Sequence, residues 1–418
     1  MKKKTIIIII LLILIFSLVG SFSFIKKARE NRSWPFNSSL GNYLPKSFKY
    51  FAYKFTNPDE IIIETHFYDL KADYHSIPSS NSVGNGGGID NFEKNKMIVL
   101  LDNGEIFFFD TKKNDFDKTN NLKLKENYAS IRDIHYENKE LLILGVKELD
   151  DNCSVIILEK YFKIETNSSN GKVDFEHDKT IWMSEKYCDD ILVNNAGGRI
   201  VKLNNNIYIS TGYFTPYVFS GINPFPQDNK SSFGKIIQIS DDGNSSIFSK
   251  GHRNPQGLFI YDNEFILSSE HGPRGGDELN LIKKNNNYGW PCETAGSLYS
   301  YENTGIKKEV WLSKKKLSDY GCKEFERYIK PVYTWTPSIA ASQGIQYQSD
   351  YFEIFKNNII LGSLGGLSLF RMILHDEKII NIERINVNER VRDILEIQDG
   401  RIAIYTDGGS LILFSKKN

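Results

Sequence analysis

Short apolar runs, each bounded by Asn, Asp, Gly and Lys, follow one another from about residue 59 to the C-terminus and leave little room for helices. Met97-Ile-Val-Leu-Leu101, Glu105-Ile-Phe-Phe-Phe109, Ile207-Tyr-Ile-Ser210, Ile359-Ile-Leu-Gly362 and Leu411-Ile-Leu-Phe414 are typical. β-Branched and aromatic residues suit a pleated, packed surface, and turn formers at both ends hold each run to strand length. Amphipathic stretches long enough for core helices are scarce. The chain therefore reads as all-β.

The runs also repeat. An apolar residue after a turn, a mostly polar stretch and then an alternating β run recur six times, beginning near Ile89, Ile131, Ile200, Leu258, Ile345 and Val391. The most alike copies are Ile131-Arg-Asp-Ile134 with Leu141-Leu-Ile-Leu144, and Val391-Arg-Asp-Ile394 with Ile402-Ala-Ile-Tyr405. Spacings of about 40 to 90 residues suit four-stranded blades with loop insertions, and stacking such sheets radially covers their edges. The expectation is a six-bladed β-propeller over residues 59–418; a large β-sandwich or two β-domains is the alternative. The longest insertion, Trp290 to Val332, is expected to cap the fold, and its Lys314-Lys-Lys316 run reads as solvated surface.

The chain has 418 residues, and Lys plus Arg equals Asp plus Glu at 52 each. No broad basic field is present to neutralise phosphates, so nucleic-acid partners are disfavoured. Met1-Lys-Lys-Lys4 precedes an apolar run from Thr5 to Phe24, followed by Lys26, Lys27 and Arg29. About twenty apolar residues at roughly 1.5 Å each cover a ~30 Å hydrocarbon core. No small-x-small cleavage site follows, so residues 1–29 are expected to be an uncleaved signal-anchor helix, a removed signal peptide being the alternative. Residues 30–58, with Pro35, Pro45 and Pro58, read as a linker. These features place the protein at the cell membrane through a single N-terminal span, with its body in the periplasm or extracellular space. Cys153, Cys188, Cys292 and Cys322 fit an oxidising compartment. Three pairings are possible, and the spacings favour Cys153 with Cys188 and Cys292 with Cys322.

Chemistry concentrates in Gly251-His-Arg-Asn-Pro-Gln-Gly257, Glu270-His-Gly-Pro-Arg-Gly-Gly-Asp-Glu-Leu-Asn280 and Asn287-Tyr-Gly-Trp-Pro291. Strand-forming Leu258-Phe-Ile260 and Phe265-Ile-Leu267 separate the first two pieces, so both should emerge as loops at blade ends. Glycines let backbone carbonyls approach a bound group, and carbonyls with carboxylates are the hard oxygen ligands that calcium requires. The same residues could instead be tight turns stapled by Arg–carboxylate pairs.

These three segments, with Trp335-Thr-Pro-Ser-Ile-Ala340 and Arg390-Val-Arg-Asp393, resemble the signature of the soluble, calcium- and pyrroloquinoline-quinone (PQQ)-dependent aldose and glucose dehydrogenases. The resemblance runs from about residue 197 to the end. It implies that Arg253, Asn254 and Gln256 contact the quinone, Arg253 polarising the carbonyl that accepts hydride, a task suited to a guanidinium that stays charged. It implies that Arg390 and Arg392 grip the cofactor's carboxylates, and that the backbone carbonyls of Gly272 and Pro273 hold a cofactor-site calcium. Glu278 and Tyr288 match a further calcium site, through the carboxylate and the backbone carbonyl.

Three departures stand out. Where similar enzymes read His-Phe-Gly-Gly-Arg, the histidine being the general base, this chain reads Asn195-Ala-Gly-Gly-Arg199, and an amide cannot take that proton. His271 and His252 lie in suitable motifs; His271 is a possible substitute base. The early Gln-Gly-Gly-Leu segment has only Gly84-Asn-Gly-Gly-Gly88 as a loose counterpart, and Gly365 stands where some relatives carry a lysine. The expected function is oxidation of an aldose at its anomeric carbon to a lactone, with PQQ and calcium as cofactors and electrons passed to an external acceptor. The alternative is a calcium-binding propeller of the same ancestry that binds a ligand, a glycan or a partner with little or no catalysis. A calcium-dependent hydrolase on a similar scaffold lacks its characteristic carboxylate and asparagine set here.

Overall fold

The structure is a computed structural model that describes residues 61–417, apart from 80–85, 119, 150–152, 166–172, 189–194, 214–224, 274, 297–320 and 324–325. The expected anchor (1–29), the linker (30–58) and the Lys314–Lys316 run lie outside the described residues.

The strands form six sheets of four or five antiparallel strands each. Blade 1 starts with Gly87–Asn91, blade 2 with Ser130–Glu137, blade 3 with Gly197–Leu203, blade 4 with Pro255–Tyr261, blade 5 with Ala341–Gln346 and blade 6 with Val391–Glu396. Each first strand packs beside the next, and blade 6 packs beside blade 1, so the ring closes around a central channel. This is a six-bladed β-propeller. All six blade starts expected from the sequence fall on or beside these first strands. No α-helix occurs among the described residues.

Ring closure uses both ends of the chain. Blade 6 takes three strands from the C-terminal side and completes itself with Asp69–Ser76, paired to Ser410–Lys416, and then Ile62–Glu64. The repeat pattern gave no hint of this, because residues 61–76 are an outer pair detached from their own blade by the length of the chain.

Six hydrophobic clusters fill the gaps between neighbouring blades; Val99 and Phe107 of blade 1 meet Ala403 and Leu411 of blade 6 in one of them. A middle strand is therefore covered on both faces, which is why Met97–Leu101 and Ile106–Phe109 are continuously apolar and buried. Outermost strands such as Val173–Met183 face water and are mostly polar. The hairpins joining first and second strands are short. Asn138 and Lys139 in blade 2, and Asn204 and Asn205 in blade 3, have positive φ, the signature of two-residue turns whose twist matches that of the strands.

Both disulfides have the pairing favoured by the sequence, Cys153–Cys188 and Cys292–Cys322, with separations of 35 and 30 residues. The second closes the long blade 4 insertion. Replacing Cys153 and Cys188 together by serine is expected to lower the unfolding free energy by about 3 kcal/mol, mainly by freeing the unfolded chain. Denaturant titration of the variant checks this; an unchanged midpoint would contradict it.

Candidate active site

In each blade the first strand begins at the face where the second strand ends, because the two pair antiparallel: Gly197 opposes Thr211, Pro255 opposes Glu270 and Val391 opposes Thr406. Residues just before a first strand and just after a second strand therefore gather on one face. Asn195, Arg253 and Arg390 belong to the first group, and His271, Gly272, Pro273 and Asp407 to the second.

The first strands of blades 2, 4 and 6 share an irregularity at the same step. Ile131 and Asp133, Pro255 and Gly257, and Val391 and Asp393 face consecutive residues across their ladders, so Arg132, Gln256 and Arg392 are extra. A bulge of this kind re-aims the extra side chain. Here the three meet, Arg132 Nη2 and Arg392 Nη1 each donating to Gln256 Oε1 at 3.1 Å. Gln256 Nε2 donates to Asn254 Oδ1 at 2.9 Å, which also accepts from the Gly197 N–H. Arg392 forks onto Asp407, Nε to Oδ1 at 2.8 Å and Nη2 to Oδ2 at 3.1 Å, and Arg390 Nε donates to the same carboxylate at 3.0 Å. Although burial opposes it, the two guanidinium groups hold the Asp407 carboxyl below the usual range.

Arg253 packs beside two aromatic rings, 5.3 Å from the Tyr213 centroid and 5.2 Å from that of Trp290, the two centroids being 6.0 Å apart. Its Nη1 donates to the His271 carbonyl at 2.9 Å, its backbone N–H to Glu270 Oε2 at 2.8 Å, and its Nε is buried without a partner. The His271 Nε2 is likewise buried and unpartnered. Burial, reinforced by the Arg253 and Arg392 charges and opposed by Asp277, pulls this imidazole down to about 4, so it is neutral at pH 7. Asn195 donates from Nδ2 to the Tyr213 hydroxyl at 3.2 Å, beside the same guanidinium. His252 is engaged on both nitrogens, with Ser249 Oγ at 2.8 Å and Glu270 Oε1 at 3.1 Å, and its ring stacks on Tyr288. It is a structural residue.

Gly272 donates its N–H to Asp277 Oδ1 at 3.0 Å, which fixes the turn carrying the Gly272 and Pro273 carbonyls. Glu278 accepts from Asn280 Nδ2 at 3.2 Å, and burial together with the neighbouring Glu270 pushes its carboxyl up to about 8. The Tyr288 hydroxyl donates to the Leu281 carbonyl and accepts the Lys283 N–H. Among the described residues no three His, Cys, Asp or Glu side chains converge as a metal cage.

The Arg199 guanidinium occupies the channel between blades. It donates from Nη1 to Asp133 Oδ1 at 3.0 Å, lies 3.2 Å from Asp393 Oδ1, and gives Nε to the Gln256 carbonyl at 2.8 Å and Nη2 to the Arg392 carbonyl at 2.6 Å. Gly88 leaves room beside it: a Cβ there would crowd a carboxylate oxygen of both Asp133 and Asp393 at 3.1 Å. The loose glycine segment thus opens blade 1 against these carboxylates, Gly84 and Asn85 lying outside the described residues.

Arg253, Asn254, Gln256, Arg390 and Arg392, singled out in the sequence, are brought together with His271 and Gly272. Glu278 is linked to this group through Asn280 and Glu270, and Tyr288 through its stack on His252. Sequence reasoning missed Arg132, Tyr213 and Asp407. The matching Ile131-Arg-Asp and Val391-Arg-Asp repeats carried the signal for Arg132, since equal steps in two blades reach one channel level. For Tyr213 and Asp407 there was no comparable signal.

A family model described as glucose/sorbosone dehydrogenase matches residues 160–413, more than half of the chain. The aldose sugar dehydrogenase YliI of Escherichia coli is 30% identical over 249 residues, 54% of this chain and 61% of that protein. The quinoprotein glucose dehydrogenase B of Acinetobacter calcoaceticus is 28% identical over 234 residues, 42% of this chain and 48% of that protein. The chain thus spans about half the length of the curated relatives it matches. Among solved structures, the soluble aldose sugar dehydrogenase of Escherichia coli in its apo form superposes with a TM-score of 0.63 at 22% identity, covering 83% of this chain and all of that one. That likeness concerns the fold.

Proposed function

The chain belongs to the glucose/sorbosone dehydrogenase family, and from that premise we propose that it oxidises an aldose sugar at the anomeric carbon to a lactone, with PQQ and calcium as cofactors. Electrons would leave to an external acceptor. The supporting observation is the convergence of Arg253, Gln256 and Arg392 on one face, with Arg253 Nε and His271 Nε2 buried there without protein partners. A donor-rich set of this kind fits a flat quinone bearing several carboxylates. When bound, the quinone would supply the two-electron acceptor.

Arg253, Asn254 and Gln256 would then contact the quinone, and Arg390 and Arg392, preset by Asp407, would grip its carboxylates. Arg253 is held by two rings and the His271 carbonyl, so its charge is aimed before the substrate arrives. Calcium would rest on the Gly272 and Pro273 carbonyls, and a second ion on Glu278 and the Tyr288 carbonyl. His271 Nε2 would take the sugar hydroxyl proton. Asn195, tied to Tyr213, would orient rather than ionise.

The reading includes an extracytoplasmic site, tethered through residues 1–29, and the two disulfides support an oxidising compartment. No helix among the described residues is long and apolar enough to cross a membrane.

The test is titration of the purified full-length chain with pyrroloquinoline quinone and calcium, followed by absorbance, then dye reduction across an aldose panel. Saturable uptake and reduction by at least one aldose are expected. Asn195→His should raise turnover, by placing a second imidazole beside Arg253. Absence of both uptake and turnover would overturn the proposal, and uptake without turnover would favour a ligand-binding propeller.

A further inference from the structure

We propose that Gln227 is a positioning residue for Arg253, acting through the Trp290 carbonyl and the Asn287 carboxamide. The inference rests on the dehydrogenase reading, in which the Arg253 guanidinium faces the reacting carbonyl.

Gln227 lies in the connection between two strands of blade 3, Asn206–Thr211 and Lys235–Ile239, outside every segment that the sequence singled out. It is only 6% exposed, and Asn287 only 9%. The two carboxamides form a closed pair. Gln227 Nε2 donates to Asn287 Oδ1 at 3.1 Å, and Asn287 Nδ2 donates back to Gln227 Oε1 at 2.7 Å. Gln227 Nε2 also donates to the Trp290 carbonyl at 2.7 Å, and this bond fixes which way the amide points, because a carbonyl can only accept.

Both flanks of Arg253 depend on this block. Trp290, whose ring centroid lies 5.2 Å from the guanidinium, is held at its carbonyl by Gln227 and at its N–H by the Gly251 carbonyl at 2.9 Å. Gly251, two residues before Arg253, donates its own N–H to the Pro226 carbonyl at 2.9 Å, and a Cβ on it would stand 2.2 Å from Asn287 Oδ1. The loop that carries Gln227 has separate moorings. The buried Lys235 ammonium donates to the carbonyls of Phe225, of Pro226 at 3.3 Å and of Phe233 at 2.8 Å. Loss of the Gln227 amide therefore leaves the loop in place and frees the Trp290 carbonyl and the Asn287 carboxamide. The ring can then shift and take the guanidinium with it, and a displacement of about 1 Å in a reacting group can lower a rate about a hundredfold.

The test compares the unmodified full-length chain with Gln227→Met, which keeps the length of the side chain, and Gln227→Glu, which keeps the acceptor and loses the donor. Chains labelled with fluorotryptophan give a fluorine NMR signal from Trp290, assigned by its disappearance in Trp290→Phe. Without any ligand, the Trp290 signal is expected to shift or broaden in both variants, while that of Trp335, packed against Phe370 of blade 5, stays in place. With pyrroloquinoline quinone and calcium supplied, turnover should fall roughly ten- to a hundredfold and the KM for the sugar should stay within about threefold, because the lost alignment acts on the transition state. An unmoved Trp290 signal, or turnover within about twofold of the unmodified chain, in either variant would overturn the inference. So would failure of both variants to fold, which would make Gln227 a structural residue. If the unmodified chain takes up no quinone and oxidises no aldose, the dehydrogenase reading falls, and Gln227 is judged on the Trp290 signal alone.

Discussion

Replacing Arg199 by Met lowers the unfolding free energy by about 3–5 kcal/mol, the usual cost of leaving buried charges without their partner. Asp133 and Asp393 would then face each other in the channel with no cation between them. Burial already pushes both carboxyls up despite Arg199, Asp133 to about 7. A carboxyl whose folded pKa lies above its unfolded value near 4 binds a proton on folding. Its contribution is complete below pH 4 and is lost as pH rises through the folded value. The variant should therefore be clearly more stable at pH 5 than at pH 8, with a steeper slope than the unmodified chain over that window. Denaturant unfolding at the two pH values measures it. A loss below about 1 kcal/mol, or a slope of opposite sign, would show that Arg199 does not carry this charge balance.

On the dehydrogenase reading proposed above, replacing His271 by Gln is expected to cut sugar turnover by roughly a hundred- to ten-thousandfold, the range of general-base assistance, with quinone uptake retained. The residue is suited to the role because its Nε2 is buried without a protein partner near the Arg253 and Arg392 charges. A folded pKa of about 4 keeps the imidazole neutral, so turnover should hold from pH 8 down to about 5 and fall as pH approaches 4. Stability runs the same way. The unfolded imidazole protonates near 6.5 and the folded one does not, so stability declines as pH drops between these values. Steady-state kinetics across that range, with quinone affinity measured in parallel, separates the effects. Retention of more than about a tenth of the turnover by His271→Gln would move the proton acceptor elsewhere.

The strands, the all-β class, the blade starts and both disulfides were legible in the sequence. They depend on short-range properties: apolar runs between turn formers, and cysteines about thirty residues apart. The segments holding Arg253, Gln256, His271 and Gly272 were legible for the same reason, as dense polar stretches beside the strand-forming runs of blade 4, although Gln256 lies within the first strand, Pro255–Tyr261, and not in the expected loop.

The tertiary structure decided which charges meet. Arg132 and Arg392 reach Gln256 across 124 and 136 residues, through bulges whose register exists only once each ladder has formed. Arg199 is a motif residue in the sequence, but its place between Asp133 and Asp393 requires blades 2, 3 and 6 to stand around one channel. The capture of residues 62–76 by the last blade likewise has no local signal, because the advantage of closing the ring appears only when its two ends come together. Strand formation follows from side-chain chemistry repeated every few residues. The site follows from distances between blades, which no single blade specifies.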